Sequence, residues 1–392
     1  MNKYRFHMIG YTHLPCSKDF FACAFTAKNY NMSQMLLDLG HEVFYYGSEG
    51  STVPCTEFIQ THSLRDIQNT WGEGNNLSII GYSYKDSQFR HDFGTAKTPL
   101  TLGFYDKCSE EINKRKKPDD FLMIPQGYYH KPIADKVQLY KNCEFGIGYR
   151  GSVKGYFRGF ESSYIQNFTY GSESPRQSIN GAYYDRIFGN YFNPDDFEFS
   201  DTPEDYYLYL GRMIQRKGVM TAVKATQAIG AKLILAGQKD KAINEKTLPS
   251  NCEFIGYVDI EQRKKLMSKA IATFTPTMYL EQFCGVHCES MLAGVPPITT
   301  SFGVFPETIP DYLDGKVGFR CNTLQDFVDA TVKAKSFTKK DRMFVRKYGE
   351  KFLTTNVMGK YQKWFDDIHQ LYLSTLDSKV KGWHYLRDEY AK

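Results

Sequence analysis

Tyr206-Tyr207-Leu208-Tyr209-Leu210-Gly211-Arg212-Met213-Ile214-Gln215-Arg216-Lys217-Gly218 is the stretch on which the architecture turns. Its first five residues are aromatic or leucine and read as a buried strand. Gly211 breaks that run, a cationic loop follows, and residues 218–229 read as a helix that returns to a second apolar strand, Lys232 to Gly237. Strand, loop, helix and parallel strand make a βαβ unit with a right-handed crossover. In open sheets built from such units, ligands bind beyond the carboxyl ends of the strands. Arg212 and Lys217 stand at that edge beside the free N–H groups of a helix start, an arrangement that favours a phosphate. Cations that merely flank a loop are the plainer reading of this element taken alone.

Further along, Glu253–Gly256 reads as a strand, 260–268 as a helix and Ile271–Pro276 as a strand. Glu281 then opens Glu281-Gln282-Phe283-Cys284-Gly285-Val286-His287-Cys288-Glu289. The periodicity predicts a helix from about Cys284 to Ala293, with Gly294 past its end and Pro296-Pro297 stopping it. Glu289 is then about a turn and a half into the helix, and the two carboxylates can face one cleft at different depths. A third element, Ile298 to Glu307, reads as a strand, a turn that needs Gly303, and an acid at a helix entrance.

The first half shows the same alternation. Tyr4–Gly10 reads as a strand, 23–39 as a helix closed by Gly40, and Val43–Tyr46 as a second strand. Residues 110–117 read as the exposed end of a helix, its basic run a solvated face. Phe121–Pro125 is a short buried strand, Gln126–His130 a loop, and Pro132 suits the first turn of a helix. The Gly-, Arg- and aromatic-rich stretch 146–160 reads as a flexible loop beside a binding cleft. Turn chemistry and acids between Asn190 and Asp205 mark the domain boundary. Two doubly wound α/β halves, each with its own parallel sheet, are the natural assembly.

Bulk properties agree. With 392 residues, 42% hydrophobic and 16% aromatic, the chain is neither disordered nor a coiled coil. No apolar run reaches the ~18 residues of a membrane span, and Met1–Met8 lacks the apolar stretch of a signal peptide. A soluble cytoplasmic protein is expected. Residues 1–200 hold 21 Lys and Arg against 22 Asp and Glu, and residues 201–392 hold 28 against 22. The second half thus leans toward an anionic ligand, without the basic face expected of a general nucleic-acid binder. Nine scattered cysteines with no C-x-x-C pair read as reduced thiols. Cys284, His287 and Cys288 lack further ligands at matched spacing, so no metal site is expected there.

Taken together, the three elements of the second half closely resemble the retaining family-4 glycosyltransferases, or glycosyltransferase group 1, of the GT-B fold. That family shows G-R-x4-K-G, then E-x7-E, then a P-V-I-A strand and a G-G-x-x-E turn. Arg212 and Lys217 keep the first spacing, Glu281 and Glu289 the second, and Gly303 to Glu307 the last. Leu36, Gly40, His41 and Val43 match L-x3-G-H-x-V in the first half. The chain departs from the family at Gln282 and Cys284, where Pro and Gly are usual. The resemblance implies two Rossmann-like domains facing a central cleft: an acceptor-side domain over 1–195, a nucleotide-sugar domain over 205–355, and C-terminal helices over 356–392 crossing back onto the first. Tyr361 to Tyr390 has the matching helical periodicity.

The resemblance also assigns roles. Arg212 and Lys217 would hold the donor diphosphate and stabilise it as leaving group. Glu281 would hold hydroxyls of the transferred sugar, with Phe283 and Gly285 at the helix entrance. Glu289 would accept the ribose hydroxyls, and the backbone near Tyr257 and Val258 would read the base. His130 is the acceptor-side catalytic candidate, with Gln126 and His13 as rivals. The implied activity is hexosyl or pentosyl transfer with retention, without a metal or a tightly bound cofactor. The implied donor is a nucleotide-diphosphate sugar, a UDP-sugar first. The acceptor would be a glycan or a lipid-linked sugar, with a hydroxymethylated base in DNA as the alternative. A non-catalytic nucleotide-sugar-binding protein is the reading from another class.

Overall fold

A computed structural model describes residues 2–21, 23–72, 97–173, 184–239 and 243–377. They form two units. One runs to Asn190 and resumes at Val357, and the other spans Tyr191–Asn356.

In the first unit, parallel strands β1 (Arg5–Ile9), β2 (Glu42–Ser48), β3 (Glu57–His62), β4 (Phe121–Ile124), β5 (Lys141–Ile147), β6 (Phe157–Phe160) and β7 (Arg186–Ile187) lie in the order β3-β2-β1-β4-β5-β6-β7. In the second, β8 (Tyr207–Leu210), β9 (Leu233–Ala236), β10 (Cys252–Gly256), β11 (Thr273–Thr275), β12 (Pro297–Thr300) and β13 (Phe319–Cys321) lie in the order β10-β9-β8-β11-β12-β13. Each sheet is therefore doubly wound, as the alternating sequence requires. Phe6–Ile9, Phe121–Ile124 and Leu233–Ala236 are buried on both faces, the near-continuous apolar pattern of covered parallel strands.

Local signals set several element ends. The helix Ala24–Asp38 stops where Gly40 takes φ +77°. Gly40 N–H donates to the Leu37 carbonyl at 2.7 Å and His41 N–H to that of Leu36 at 3.0 Å, the paired bonds of a Schellman cap. The helix Thr354–Leu376 packs in the first unit: Phe365 meets Phe6 at 4.8 Å, Tyr361 stacks on Phe188 at 3.9 Å, and the Trp364 indole N–H donates to the Tyr184 carbonyl at 2.6 Å. The rest of the expected Tyr361–Tyr390 stretch, residues 378–390, lies outside the described residues. No described helix is long and apolar enough to cross a membrane.

Two expectations are corrected. Gln126–His130 is not a loop: Gly127 begins a helix that runs to Val137 with Pro132 inside it. The buried Glu144 carboxylate draws the helix start back by accepting the Gly127 N–H at 3.2 Å. Nor is 146–160 a loose loop. Glu144 also accepts from Tyr149 Oη at 2.7 Å and from Val153 N–H at 2.9 Å, and residues 157–160 are strand β6. Burial pushes the Glu144 carboxyl up to about 7.

The first unit carries an acid-sensitive core. Burial lowers the pKa of His13 and of His130 to about 3 and of His62 to about 4. The native state keeps all three rings neutral, while the unfolded chain protonates them below about pH 6.5. Their contribution to stability is therefore full above that value and is lost as pH falls toward 4 for His62 and toward 3 for His13 and His130, about 2 kcal/mol per ring between pH 6.5 and 5. Trp71 and Trp364 lie in this unit, and no tryptophan occurs within 191–356. Urea unfolding followed by tryptophan fluorescence should show a clearly lower midpoint at pH 5 than at pH 7, and equal midpoints would refute the account.

Candidate active site

The second sheet reverses direction between β8 and β11: from β8 the chain proceeds outward to β9, and from β11 the other way to β12. A crevice opens beyond the carboxyl ends of two such strands. The loops that leave β8 and β11 carry Arg212, Lys217 and Glu281.

The loop after β8 is tied down from below. Gly211 N–H donates to the Ala236 carbonyl at 2.9 Å, and Met213, fully buried, donates its N–H to the Gln238 carbonyl at 2.9 Å. Tyr209 Oη donates to the carbonyls of Arg212 at 3.2 Å and Lys217 at 3.4 Å. Residues Gln215–Lys217 make one 3-10 turn, closed by Gly218 at φ +71°. A side chain at Gly218 would collide with the Pro276 carbonyl, so the glycine lets this loop lie against the end of β11. Met278 N–H closes the contact on the Arg216 carbonyl at 2.7 Å.

That approach brings Lys217 Nζ to 2.9 Å from Glu281 Oε2. Burial acts to lower the Lys217 pKa, but Glu281, Cys284 and Tyr279 together outweigh it and the net shift is upward. Tyr279 lies beneath two cations, with Lys217 Nζ 5.1 Å and the Arg216 guanidinium 5.2 Å from its ring centre. Glu281 is gripped through its backbone. Val304 N–H donates to its carbonyl at 3.0 Å, and a Cβ at Gly303 (φ +68°) would stand 2.8 Å from both its N and its O.

Phe283 is turned into the core, edge-on to Phe352 at 5.7 Å. Cys284 caps the helix Gly285–Leu292 with φ +65°, a left-handed conformation that is uncommon for a residue with a Cβ. The backbone thus takes a glycine-like turn at the position where the sequence departs from the expected pattern. Gly285 begins the helix, and a Cβ there would lie 3.7 Å from Glu289 Oε1, one turn above. Glu289 is buried. Arg263 Nη2 meets Oε1 at 2.9 Å, while Oε2 is buried and accepts no hydrogen bond from the described residues. Burial raises the Glu289 pKa and Arg263 opposes the rise.

Val258 is buried with Leu266, and Val286 of the Glu289 helix packs against the same cluster. Beside it, Gly256, Tyr257, Val258, Gln262 and Lys265 line an open cavity of about 590 Å³. The second unit thus gathers Lys217 with Glu281, and Gly285 with Glu289, around one helix start. His130 does not take the expected place. It sits in the first unit, fully buried, with its ring 4.7 Å from that of Tyr129 and 5.5 Å from that of Tyr11. The ring is held neutral and shows no exposed face through which to meet a substrate in this structure. His287 bonds Thr308 through Nε2 at 2.9 Å and Cys288 is in the core. Among the described residues, no three His, Cys, Asp or Glu side chains are grouped to hold a metal. The sequence reading missed Arg263 and Tyr279. Tyr279 stands two residues before Glu281, a hint of sorts, whereas Arg263 is one of several polar residues on an amphipathic helix and gives no local signal.

Residues 194–351 match the family of glycosyl transferases group 1. No curated protein matches the chain in sequence. Solved structures match over nearly all of it. AviGT4, a glycosyltransferase of avilamycin A biosynthesis, is 15% identical with a TM-score of 0.61, over 93% of this chain and 98% of that one. A glycosyltransferase from Rickettsia africae is 14% identical with a TM-score of 0.63, over 94% and 99%. The pneumococcal O-GlcNAc transferase GtfA, solved with UDP and GlcNAc, is 10% identical with a TM-score of 0.62, over 94% and 99%. The likeness at these identities is one of fold, and the fold is α/β with two parallel sheets, as in GT-B glycosyltransferases.

The loop packing makes Gly218 a sensitive position. Gly218→Ala puts a Cβ at positive φ against a backbone carbonyl that cannot move aside. Far-UV circular dichroism during denaturation should report a loss of about 1–3 kcal/mol. An unchanged transition would mean that the loop does not rest on Pro276.

Proposed function

We propose that the chain is a retaining glycosyltransferase that moves a hexosyl or pentosyl group from a nucleotide-diphosphate sugar to an acceptor hydroxyl, a glycan or glycolipid acceptor first. The observation that carries this reading is the Lys217–Glu281 pair, 2.9 Å apart at the switch point of a sheet within the matched glycosyl transferases group 1 region. A UDP-sugar is the favoured donor, in keeping with the UDP held by the pneumococcal enzyme of like fold.

In this reading the diphosphate lies over the start of the helix Gly285–Leu292, whose unpaired N–H groups and dipole favour an anion. Lys217 gives one ammonium proton to Glu281 and another to the Tyr279 hydroxyl, and keeps the third for a phosphate oxygen. Arg212 adds a second cation from the same loop. As the bond from the anomeric carbon to phosphate oxygen breaks, negative charge grows on the diphosphate where both cations already stand, and such preorganised charge lowers the barrier. Glu281 holds sugar hydroxyls and steadies the oxocarbenium-like centre. The acceptor oxygen bonds the anomeric carbon from the face the leaving group vacates, and its proton passes to the departing phosphate. Glu289 Oε2 takes a ribose hydroxyl, and the base enters the cavity beside Tyr257 and Val258.

Donor turnover with UDP-, GDP- and ADP-sugars tests the reading. Arg212→Ala and Lys217→Ala should each lower turnover by about 10²–10³ with circular dichroism unchanged. A folded protein that binds nucleotide sugars yet turns over none of them, with or without glycan acceptors, would instead be a binding protein.

A further inference from the structure

Arg263 has no part in the reaction just described, yet among the described residues it makes the one ion pair to Glu289. It lies on the helix Ile260–Lys269, whose start is locked by a reciprocal cap: Gln262 N–H donates to the Asp259 carboxylate at 2.8 Å, and Asp259 N–H donates to the Gln262 amide oxygen at 3.2 Å. Arg263 N–H also bonds the Asp259 carbonyl at 2.9 Å, so the base of its side chain is fixed. The far end crosses to the neighbouring helix and meets Glu289 Oε1 at 2.9 Å. The two carboxylate oxygens therefore differ. One is satisfied by a guanidinium, and the other is buried and accepts nothing from the described residues. Leaving a buried carboxylate oxygen unpaired is costly unless something else binds it.

The surrounding charges explain why a cation is needed. Burial, and the charge of Asp196 from the turn Pro194–Asp196, both push Glu289 toward its protonated form, and Cys284 at the helix cap is itself raised by burial to about 12 and supplies no positive charge. Arg263 is the cation that opposes them. A guanidinium stays charged throughout the accessible pH range, so it favours the ionised carboxylate without titrating itself.

We propose that Arg263 is a positioning residue for the donor: through Oε1 it holds the Glu289 carboxylate so that Oε2 is presented, as an acceptor, to the vicinal hydroxyls of the nucleoside. This rests on the ribose role given to Glu289 above. A residue that only braced two helices would affect every ligand alike. One that presents an acceptor oxygen should affect only ligands carrying the hydroxyls, and should do so in a pH-dependent way.

The test is calorimetric titration of the full chain with UDP and with 2′,3′-dideoxy-UDP at pH 7 and pH 9. The wild type should prefer UDP by about tenfold or more, the size of a hydrogen bond to a charged group. Glu289→Gln should lose most of that preference. Arg263→Ala should lose most of it at pH 7 and recover some at pH 9, because rising pH favours the ionised Glu289 that the guanidinium otherwise favours, and Arg263→Lys should keep part of it at both. An Arg263→Ala protein that keeps the wild-type preference at pH 7 overturns the proposal while leaving the Glu289 reading intact. A wild type, or a Glu289→Gln protein, that shows no change in preference on loss of the hydroxyls or the charge overturns the ribose reading and this proposal with it. If Arg263→Ala does not fold, Arg263→Gln carries the same comparison, since it removes the charge and keeps a donor.

Discussion

Parallel pairing imposes the constraint from which the rest follows. Every described strand in the two sheets is joined to its neighbour by a parallel ladder, and a parallel ladder cannot be closed by a short hairpin. The chain must cross back over a face each time, so all carboxyl ends within a sheet emerge at one edge. In the second unit the crossovers from β8 and β11 depart in opposite directions, and the edge between them is left open. Arg212, Lys217 and Glu281 lie far apart in sequence and meet only because that topology puts their loops side by side.

Topology places the loops within reach, and backbone contact sets them. Gly218 and Gly303 each occupy a left-handed conformation in which a Cβ would strike the backbone of the facing loop. Those two contacts bring the 211–218 loop onto the end of β11 and the 303–304 turn onto Glu281. The Lys217–Glu281 pair is then held from both sides by main chain, not by its own attraction alone. That matters because a largely buried ion pair recovers its desolvation cost only where its geometry is well set. Its geometry comes from the surrounding backbone, as a preorganised site requires.

The corresponding edge of the first unit is built differently. Several polar groups at the ends of its strands are turned inward and pair with one another. Glu144 takes the N–H groups that a helix start and a turn would otherwise leave open, and Lys28 pairs with Glu161 at 2.9 Å beneath the Gly146 carbonyl. His130 belongs to this interior layer. The residues that look like chemistry in the two halves therefore do different work, since burial strips His130 of its proton and of access while leaving Lys217 charged at a crevice.

Much of this was legible from the chain alone. Apolar runs of four or five residues, helical periodicity and punctuating glycines are local signals, so the βα alternation, the Gly40 cap and the order of cation loop, acid and acid could be read directly. The offset of Lys217 from Arg212 and of Glu289 from Glu281 is likewise a property of sequence. The start of the helix at Gly127 was not legible, because it depends on a carboxylate at 144 that reaches back across the sheet. Nor was the burial of His130, the glycine-like φ of Cys284, or the division of the Glu289 oxygens between Arg263 and an open position. Each of these rests on groups brought together from distant parts of the chain, whose meeting no local pattern encodes. The sequence by itself determined which residues could carry charge to the edge of a parallel sheet. Only the tertiary structure decided which of them remain exposed to act there, because desolvation and partner geometry are set by packing.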